Sequence, residues 1–404
     1  MIGRRGFHAE MIRQRLAWHF LKYSKSKNMI DPTQFLQETI EYAVAVRAER
    51  IDARILSDRL KVYLWVRGSK IAVANFSAIH AKAIESAFHE FFEIGNEELE
   101  GAQKPIVVER PIEVRGNALN VRLSTWPAEQ PLSQVMLFQY LSDPPLGLDQ
   151  IGLCDATLAK FRKAIQKDGL VGFCGIRPGG RTTAMRAAAR DLKRDPNSIA
   201  ELDYRRYWSK TKFQQFAVEE DKDVASFSEL LQKVGRLDPD VVMLQCLRSL
   251  ETLQTAVQYG LAGHLVLAKT NVQRAAVAIT RLLDMGVDPK LVASSLNGVL
   301  CCRKIRTCCI CKREILIADS KEFERAYTAS SRGCEACHWT GYQGQTGIFE
   351  FLEVTREMRE LISKTPTTAE IQDLAVKQGM KTIRETALEK VNLGIAPIDL
   401  FTEV

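Results

Sequence analysis

No apolar run in these 404 residues is long enough to span a membrane. The N-terminus also lacks a signal-peptide core. After Arg4 and Arg5, the residues His8, Glu10, Arg13 and Arg15 interrupt any apolar stretch. A cytoplasmic protein is therefore expected, at most peripheral to the inner membrane. Charge of one sign is scarce as well: the formal excess is +7, mild for this length. No basic stripe is interleaved with aromatics, which argues against nucleic acid as the partner. No internal repeat or low-complexity tract stands out. What the chain does have is apolar residues, 46% of the total, enough for sizeable cores in two or three domains.

The chain is organised around Val171-Gly-Phe-Cys-Gly-Ile-Arg-Pro-Gly-Gly-Arg-Thr-Thr-Ala184. The apolar run Leu170 to Cys174 reads as a buried strand, and an Ala-rich helix follows a glycine-rich turn. Gly175, Gly180, Arg181 and Thr182 have the spacing G-x-x-x-x-G-K-[ST] with Arg in place of Lys. Such a loop wraps backbone N–H groups and a helix N-terminus around phosphate. Gly175, Gly179, Gly180, Arg181, Thr182 and Thr183 are the candidate nucleotide-binding residues. Arg181 keeps the charge but is planar and forked, so it cannot fill a lysine's slot. Pro178 stands where a cradling N–H would be and restricts Arg177. Thr182 remains to hold Mg²⁺. ATP with Mg²⁺ is therefore expected to bind weakly, and a strand–turn–helix without a ligand is the plainer alternative.

Residues 1–30 form a basic, loosely amphipathic extension, with Phe7, Met11, Leu16 and Phe20 at roughly helical spacing. It either packs on a domain or meets a membrane surface or partner. Asp31 and Pro32 open a helix running to Val46. Runs Lys61–Val66 and Lys70–Asn75 flank a turn at Arg67-Gly68-Ser69. Ser77 is the expected N-cap of a second helix reaching Phe92. Short strands are expected at Ile106–Val108, Ile112–Val114, Ala118–Ser124 and Val135–Tyr140. These elements make residues 31–141 an α+β module, with 142–149 as linker. From residue 150 to 404 strands and helices alternate: helix Ala156–Lys167, strand Ile199–Leu202, helix Phe227–Lys233, strand after Asp238-Pro-Asp240, helix Ser249–Tyr259, strand Gly263–Ala268. That order argues for a mostly parallel α/β sheet. Residues 356–404 read as amphipathic helices.

The ten cysteines are better read as metal ligands or buried thiols than as disulfides. Cys308-x2-Cys311 and Cys334-x2-Cys337 form two pairs within residues 308–345. Four thiolates suit a closed, tetrahedral, structural Zn²⁺ site. Reduced free thiols, or Cys309 in place of Cys308, are the alternatives, and His338 is a neighbour rather than a ligand.

Taken together, several stretches resemble the type II secretion and type IV pilus assembly ATPases. Asp238-Pro-Asp-Val-Val-Met243, Ala278-Ile-Thr-Arg-Leu-Leu-Asp-Met-Gly-Val287, Gly333-Cys-Glu-Ala-Cys337, Thr340-Gly-Tyr-Gln-Gly-Gln-Thr-Gly-Ile348 and Gly379-Met-Lys-Thr-Ile-Arg384 carry the likeness, with Leu123-Ser-Thr-Trp-Pro127 and Gly147-Leu-Asp-Gln-Ile-Gly152 upstream. It runs from about residue 31 to the end. The resemblance implies a RecA-like P-loop NTPase domain preceded by a small PAS-like α+β domain, with a zinc-binding insertion and C-terminal helices. It further implies a hexameric ring, with nucleotide between the two domains of neighbouring subunits, driving pilin or pseudopilin assembly from the cytoplasmic face. The family's larger N-terminal membrane-docking domain has no counterpart in residues 1–30, which are too short for it.

The departures from the family pattern fall on its chemistry. The Walker B Gly-Glu pair reads Gln245-Cys246, and the Asp after Arg248 is Ser249. The acidic box reads Leu202-Asp203-Tyr204-Arg205-Arg206, keeping one carboxylate. The histidine box reads Lys269-Thr-Asn-Val272. Arginines of the first domain are replaced at Tyr63 and Trp65, while Arg122 matches a survivor. A Gly-Glu-Lys segment has become Leu132-Ser-Gln134, and its following Arg is Phe138. Catalytic candidates reduce to Asp203, Arg248 and Arg122. Phosphoryl transfer is positioning plus charge stabilisation, and each lost group costs orders of magnitude. A pseudo-ATPase is the expected reading, structural or regulatory, in a homo- or hetero-oligomeric ring with an active paralogue or inner-membrane platform components. The alternatives are a slow ATPase using Asp203, Asp240 or Glu251, and a nucleotide-independent protein-binding module.

Overall fold

The computed structural model describes residues 31–402 apart from 57–58, 78–79, 96–105, 115, 126–132, 141–145, 177–178, 204–212, 219–225, 316–322 and 324. The N-terminal extension, Arg177, Pro178, Tyr204, Arg205, Arg206, Leu132 and residues 142–145 of the 142–149 linker thus lie outside the described residues. The chain divides into two units. One comprises residues up to Pro144 with Arg306–Arg313 and Thr328–Gln345; the other comprises Pro145–Ile305, Glu314–Tyr327 and Thr346–Val404. The cysteine segment, expected within the second domain, groups with the first unit.

In the first unit, α1 (Pro32–Ala45) begins as its sequence dictates. The Asp31 carboxylate accepts the amides of Thr33 and Gln34 at 3.0 and 3.1 Å, and Pro32 occupies the first turn. Such a cap contributes about 1 kcal/mol. Its buried face is Phe35, Leu36, Thr39, Ile40, Ala43 and Val44. Strands β1 (Arg50–Leu56), β2 (Arg59–Val66), β3 (Ser69–Ser77), β4 (Ile106–Val114), β5 (Asn117–Thr125) and β6 (Ser133–Tyr140) form one sheet in the order β3-β2-β1-β6-β5-β4, antiparallel throughout. Burial alternates along β2, as in a sheet with one face on the core. Arg67 (φ 53°) and Gly68 (φ 75°) make the tight turn between β2 and β3, both left-handed as a two-residue hairpin loop requires.

Three expectations are corrected here. β1 was not anticipated. Ser77 ends β3 rather than capping a helix; α2 (Ala81–Phe91) starts after His80, which makes no side-chain cap bond. The two runs around Pro111 are one strand, β4. Proline is tolerated because β4 lies at the sheet edge, where no second neighbour needs its N–H.

The second unit holds a seven-stranded sheet in the order β15-β12-β7-β11-β10-β8-β9. Its strands are β7 (Gly169–Cys174), β8 (Ile199–Asp203), β9 (Gln214–Ala217), β10 (Val241–Leu244), β11 (Leu265–Lys269), β12 (Leu296–Cys308) and β15 (Tyr342–Glu353); β13 (Arg313–Ile315) and β14 (Ala326–Thr328) pair separately. Strands β7 to β12 pair in parallel. Every residue of β7 and β10 is buried, as in a sheet covered on both faces. Alternate residues feed two cores. Leu170 and Cys174 join Val242, Leu244, Val266 and Ala268 under α5 (Phe227–Gly235), α6 (Leu250–Leu261), α7 (Ala275–Asp284) and α8 (Pro289–Ser295). Val171 and Phe173 join Val241, Met243, Leu265 and Leu267 under α3 (Asp155–Ile165) and α4 (Arg181–Asp191). The chain closes with α9 (Arg356–Ile362), α10 (Thr368–Lys377) and α11 (Ile383–Asn392).

The second of these cores turns on Phe161. Fully buried, it meets Phe173 and Phe351 edge-on at 5.9 and 5.3 Å. Phe161→Ala is expected to cost about 3–5 kcal/mol in a denaturant titration, because the cavity cannot collapse between three rigid elements.

Candidate functional site

The loop between β7 and α4 follows from its glycines. A Cβ on Gly175 (φ 140°) would lie 2.1 Å from the Cys302 carbonyl oxygen, and one on Gly179 would lie 2.4 Å from that of Ile176. Both positions demand close backbone approach. Gly180 caps α4 in the left-handed region (φ 80°), with open space where a side chain would go. The Gly175 amide donates to Val272 O at 2.7 Å, tying the loop to the segment after β11.

Arg181, in the lysine's place, is only 6% exposed. Its Nη1 donates to Thr270 O at 2.6 Å and to Asn271 Oδ1. Thr182 Oγ1 accepts from Lys269 Nζ at 2.8 Å and donates to Gln245 Oε1 at 3.5 Å. Thr183 is exposed in the first turn of α4. Gln245 in turn donates through Nε2 to Glu201 Oε1. Glu201 lies within β8 and is 2% exposed. The same oxygen accepts Arg186 Nε at 2.9 Å, and Oε2 accepts Gln215 Nε2 at 3.2 Å. Sequence reasoning passed over Glu201 as part of an apolar run; a lone acid inside a buried strand was the available signal. Removing it strands Arg186, so Glu201→Ala is expected to destabilise by about 3–5 kcal/mol in chemical denaturation.

Asp203 ends β8, and its carbonyl accepts Val218 N–H at 3.2 Å. Arg248 is exposed between β10 and α6, and Cys246 is buried. Asp240 receives Arg194 on its carbonyl at 3.0 Å, and Glu251 lies exposed in the first turn of α6. Arg122 belongs to the first unit, where it pairs with Glu109. In that unit the residues replacing arginines have partners of their own. Trp65 Nε1 donates to the buried Asp52 at 3.1 Å under the Arg50 guanidinium, and Lys70 lies over the Tyr63 ring.

Four sulfurs converge in the first unit: Cys309, Cys311, Cys334 and Cys337, all within 4.8 Å of one another. This corrects the expected set, in which Cys308 stood first. Cys308 ends β12, where successive side chains take opposite sides, so only one of two adjacent cysteines can face the group. The pairs Cys309–Cys334 and Cys311–Cys337 are 3.7 and 3.9 Å apart. A tetrahedral shell with Zn–S near 2.3 Å puts its sulfurs about 3.8 Å apart, so the donor set fits that metal. Burial pushes the Cys311 thiol up to about 12, helped by its hydrogen bond with Cys334. At Cys337 burial also acts upward, but amides of Cys334 and Gly341 donating to the sulfur bring it down to about 7. His338 (φ 48°) turns the chain beside the group without joining it. Arg67 Nη1 donates to Ala336 O at 2.9 Å, so the β2–β3 turn braces the knuckle.

The family model described as Type II/IV secretion system protein matches residues 35–402, and the chain belongs to that family. Among curated relatives it is similar to the type II secretion system ATPase E of Vibrio cholerae, 32% identical over 74% of this chain and 62% of that one. It is similar to type II secretion system protein E of Xanthomonas campestris pv. campestris, at 30% over 89% and 65%, and to the type IV pilus assembly ATPase PilB of Thermus thermophilus, at 30% over 91% and 42%. The chain thus spans about two fifths to two thirds of the length of these relatives. Among solved structures, the Legionella pneumophila ATPase DotB superposes with a TM-score of 0.68 at 15% identity, covering 94% of this chain and 97% of that one. The pilus retraction motor PilT with bound ADP gives 0.58 at 18%, covering 91% and 96%. At such identities the likeness is one of fold: a RecA-like α/β domain preceded by a small PAS-like α+β domain, with the cysteine segment as an insertion and helices at the C-terminal end. No helix of the described residues is long and apolar enough to cross a membrane.

Proposed function

We propose that the chain is a pseudo-ATPase of the secretion and pilus-assembly family: a structural or regulatory subunit that keeps the motor's architecture without splitting ATP. The observation that carries this reading is Arg181. The charge that a working loop would direct at phosphate is buried and engaged by Thr270 and Asn271. In support, Gln245 and Cys246 leave the tip of β10 without a carboxylate, and the buried acid next to it, Glu201, is neutralised by Arg186. Zinc in the four-cysteine group would be structural, since four protein sulfurs leave no coordination position open. The subunit would sit in a ring, hexameric by likeness to the family, at the cytoplasmic face of a type II secretion or type IV pilus machine, beside an active paralogue or platform components. The test is Mg²⁺-dependent phosphate release by the purified chain. None above background is expected, and turnover that disappears in Arg181→Ala would overturn the reading.

A further inference from the structure

The second unit holds a cavity of about 300 Å³ among β12, β15, α7, α10 and α11. Arg274, Glu350 and Gln372 line it, and Cys302 and Ile383 give it an apolar wall. Glu350 lies on β15 and is 2% exposed. Two helix ends hold it. Its Oε1 accepts the amide of Ala275, which opens α7, at 2.7 Å, and its Oε2 accepts that of Ile383, which opens α11, at 3.3 Å. Helix N-termini favour an anion, and here the chain supplies its own. Burial pushes the Glu350 carboxyl up, while the two amides and the Arg274 charge pull it back. A carboxylate oxygen has two lone pairs, and each of these takes one amide among the described residues, so each can accept once more.

Arg274 is the N-cap residue of α7, yet its side chain caps nothing. It is exposed, and among the described residues its guanidinium makes no hydrogen bond and no ion pair, with Glu350 included. Opposite charges thus line one cavity without touching. Gln372 adds an amide whose Oε1 is shielded from solvent and has no partner among the described residues. A shielded amide of this kind costs stability until a ligand meets it. Arg303 and Arg384 also line the cavity and are engaged with other groups. A guanidinium takes a carboxylate in a planar, two-bond grip, and a carboxylate takes an ammonium or a hydroxyl. A ligand that satisfies both carries an acid and a donor a few ångströms apart. The Gln372 amide can offer it a donor or an acceptor, whichever way it is turned. A phosphate dianion fits less well, because Glu350 repels it. We propose that this cavity binds a small organic acid with an amino or hydroxyl group on the carbon next to its carboxyl. The carboxylate goes to Arg274, the donor to Glu350, and the side chain against Ile383 and Cys302. The groups that bind it lie outside the loop after β7, and the proposal holds whether or not the chain turns over ATP.

The test is a ligand-observed NMR titration of the full chain with L-leucine, leucic acid and isocaproate. The three share a carbon skeleton and differ at one group: ammonium, hydroxyl or hydrogen. A site built to hydrogen-bond a donor rejects the analogue that lacks it. Leucine or leucic acid is therefore expected to bind at least about tenfold tighter than isocaproate. Tighter binding of leucine identifies an amino-acid site and tighter binding of leucic acid a hydroxy-acid site, and either supports the proposal. Arg274→Ala removes an exposed side chain, so its thermal transition is expected to match the parent's while binding weakens at least about tenfold. Arg274→Lys keeps the charge without the fork and is expected to retain part of the affinity. Equal affinity for the three acids, an unchanged Kd in Arg274→Ala, or no binding of any of the three overturns the proposal. The pseudo-ATPase reading would survive each of those results, because phosphate release is measured separately.

Discussion

Cys309→Ser is expected to empty the proposed zinc centre, whereas Cys308→Ser is expected to leave it filled. The two variants remove the same sulfur from adjacent positions. Only Cys309 has its sulfur within 4.8 Å of those of Cys311, Cys334 and Cys337. Loss of one thiolate breaks a closed tetrahedral shell, and structural zinc contributes on the order of 10 kcal/mol to folding of the segment it ties together. The segment here is short and turn-rich. Gly333, His338, Trp339 and Gly341 all have positive φ, and the 3₁₀ turn Glu335–Cys337 is its only regular element between β14 and β15 among the described residues. Among the described residues, the Arg67 bond to Ala336 O and the Cys309 amide on Gly341 O tie it to its surroundings. Metal analysis should therefore find about one zinc per chain in the parent and in Cys308→Ser, and almost none in Cys309→Ser or Cys334→Ser, with proteolytic nicking of the knuckle in the last two. Equal metal content in the two adjacent variants would show that the sulfur geometry is not the ligand set.

The second large effect concerns ATP. Removing one donor that stabilises developing charge commonly costs about 10²–10³ in rate, and a missing arginine finger more. Here the lysine charge is diverted, the Gly-Glu pair is Gln245-Cys246, and the hydroxyl of Thr182 is held by Lys269. These losses act on one transition state, so turnover at least about a thousandfold below an intact family member is expected. Arg181→Lys alone should restore nothing. It returns a lysine to the loop but leaves Thr182 on Lys269, no carboxylate at the tip of β10, and Thr270 and Asn271 without the guanidinium that organises them.

Local chemistry was legible in the sequence wherever the signal is local. Asp31 and Pro32 open α1, Arg67-Gly68 turn the first hairpin, and the glycines mark the loop after β7. β1 carries the alternation of a strand, with Arg50, Asp52 and Arg54 between its apolar residues, but three charged residues in seven suggest an exposed segment, and only its neighbours show otherwise. It is an interior strand whose Asp52 is fully buried among Arg50 and Trp65. The choice between Cys308 and Cys309 depends on which way a strand end faces, which spacing alone does not carry. The contacts that define the site — Arg181 to Asn271, Lys269 to Thr182, Gln245 to Glu201 — join residues 44 to 90 positions apart. They exist because β7, β11, β10 and β8 lie side by side in the sheet. Substitution of the lysine and the Walker B glutamate could be read from the chain; where the replacement charges go could not.

The central claim, a motor scaffold whose charges have been turned inward, is tested most directly by steady-state phosphate release from Mg²⁺-ATP, beside an intact relative at equal concentration. The account predicts a rate indistinguishable from that of the Arg181→Ala variant. A rate comparable to the relative's, abolished by that same substitution, would contradict it.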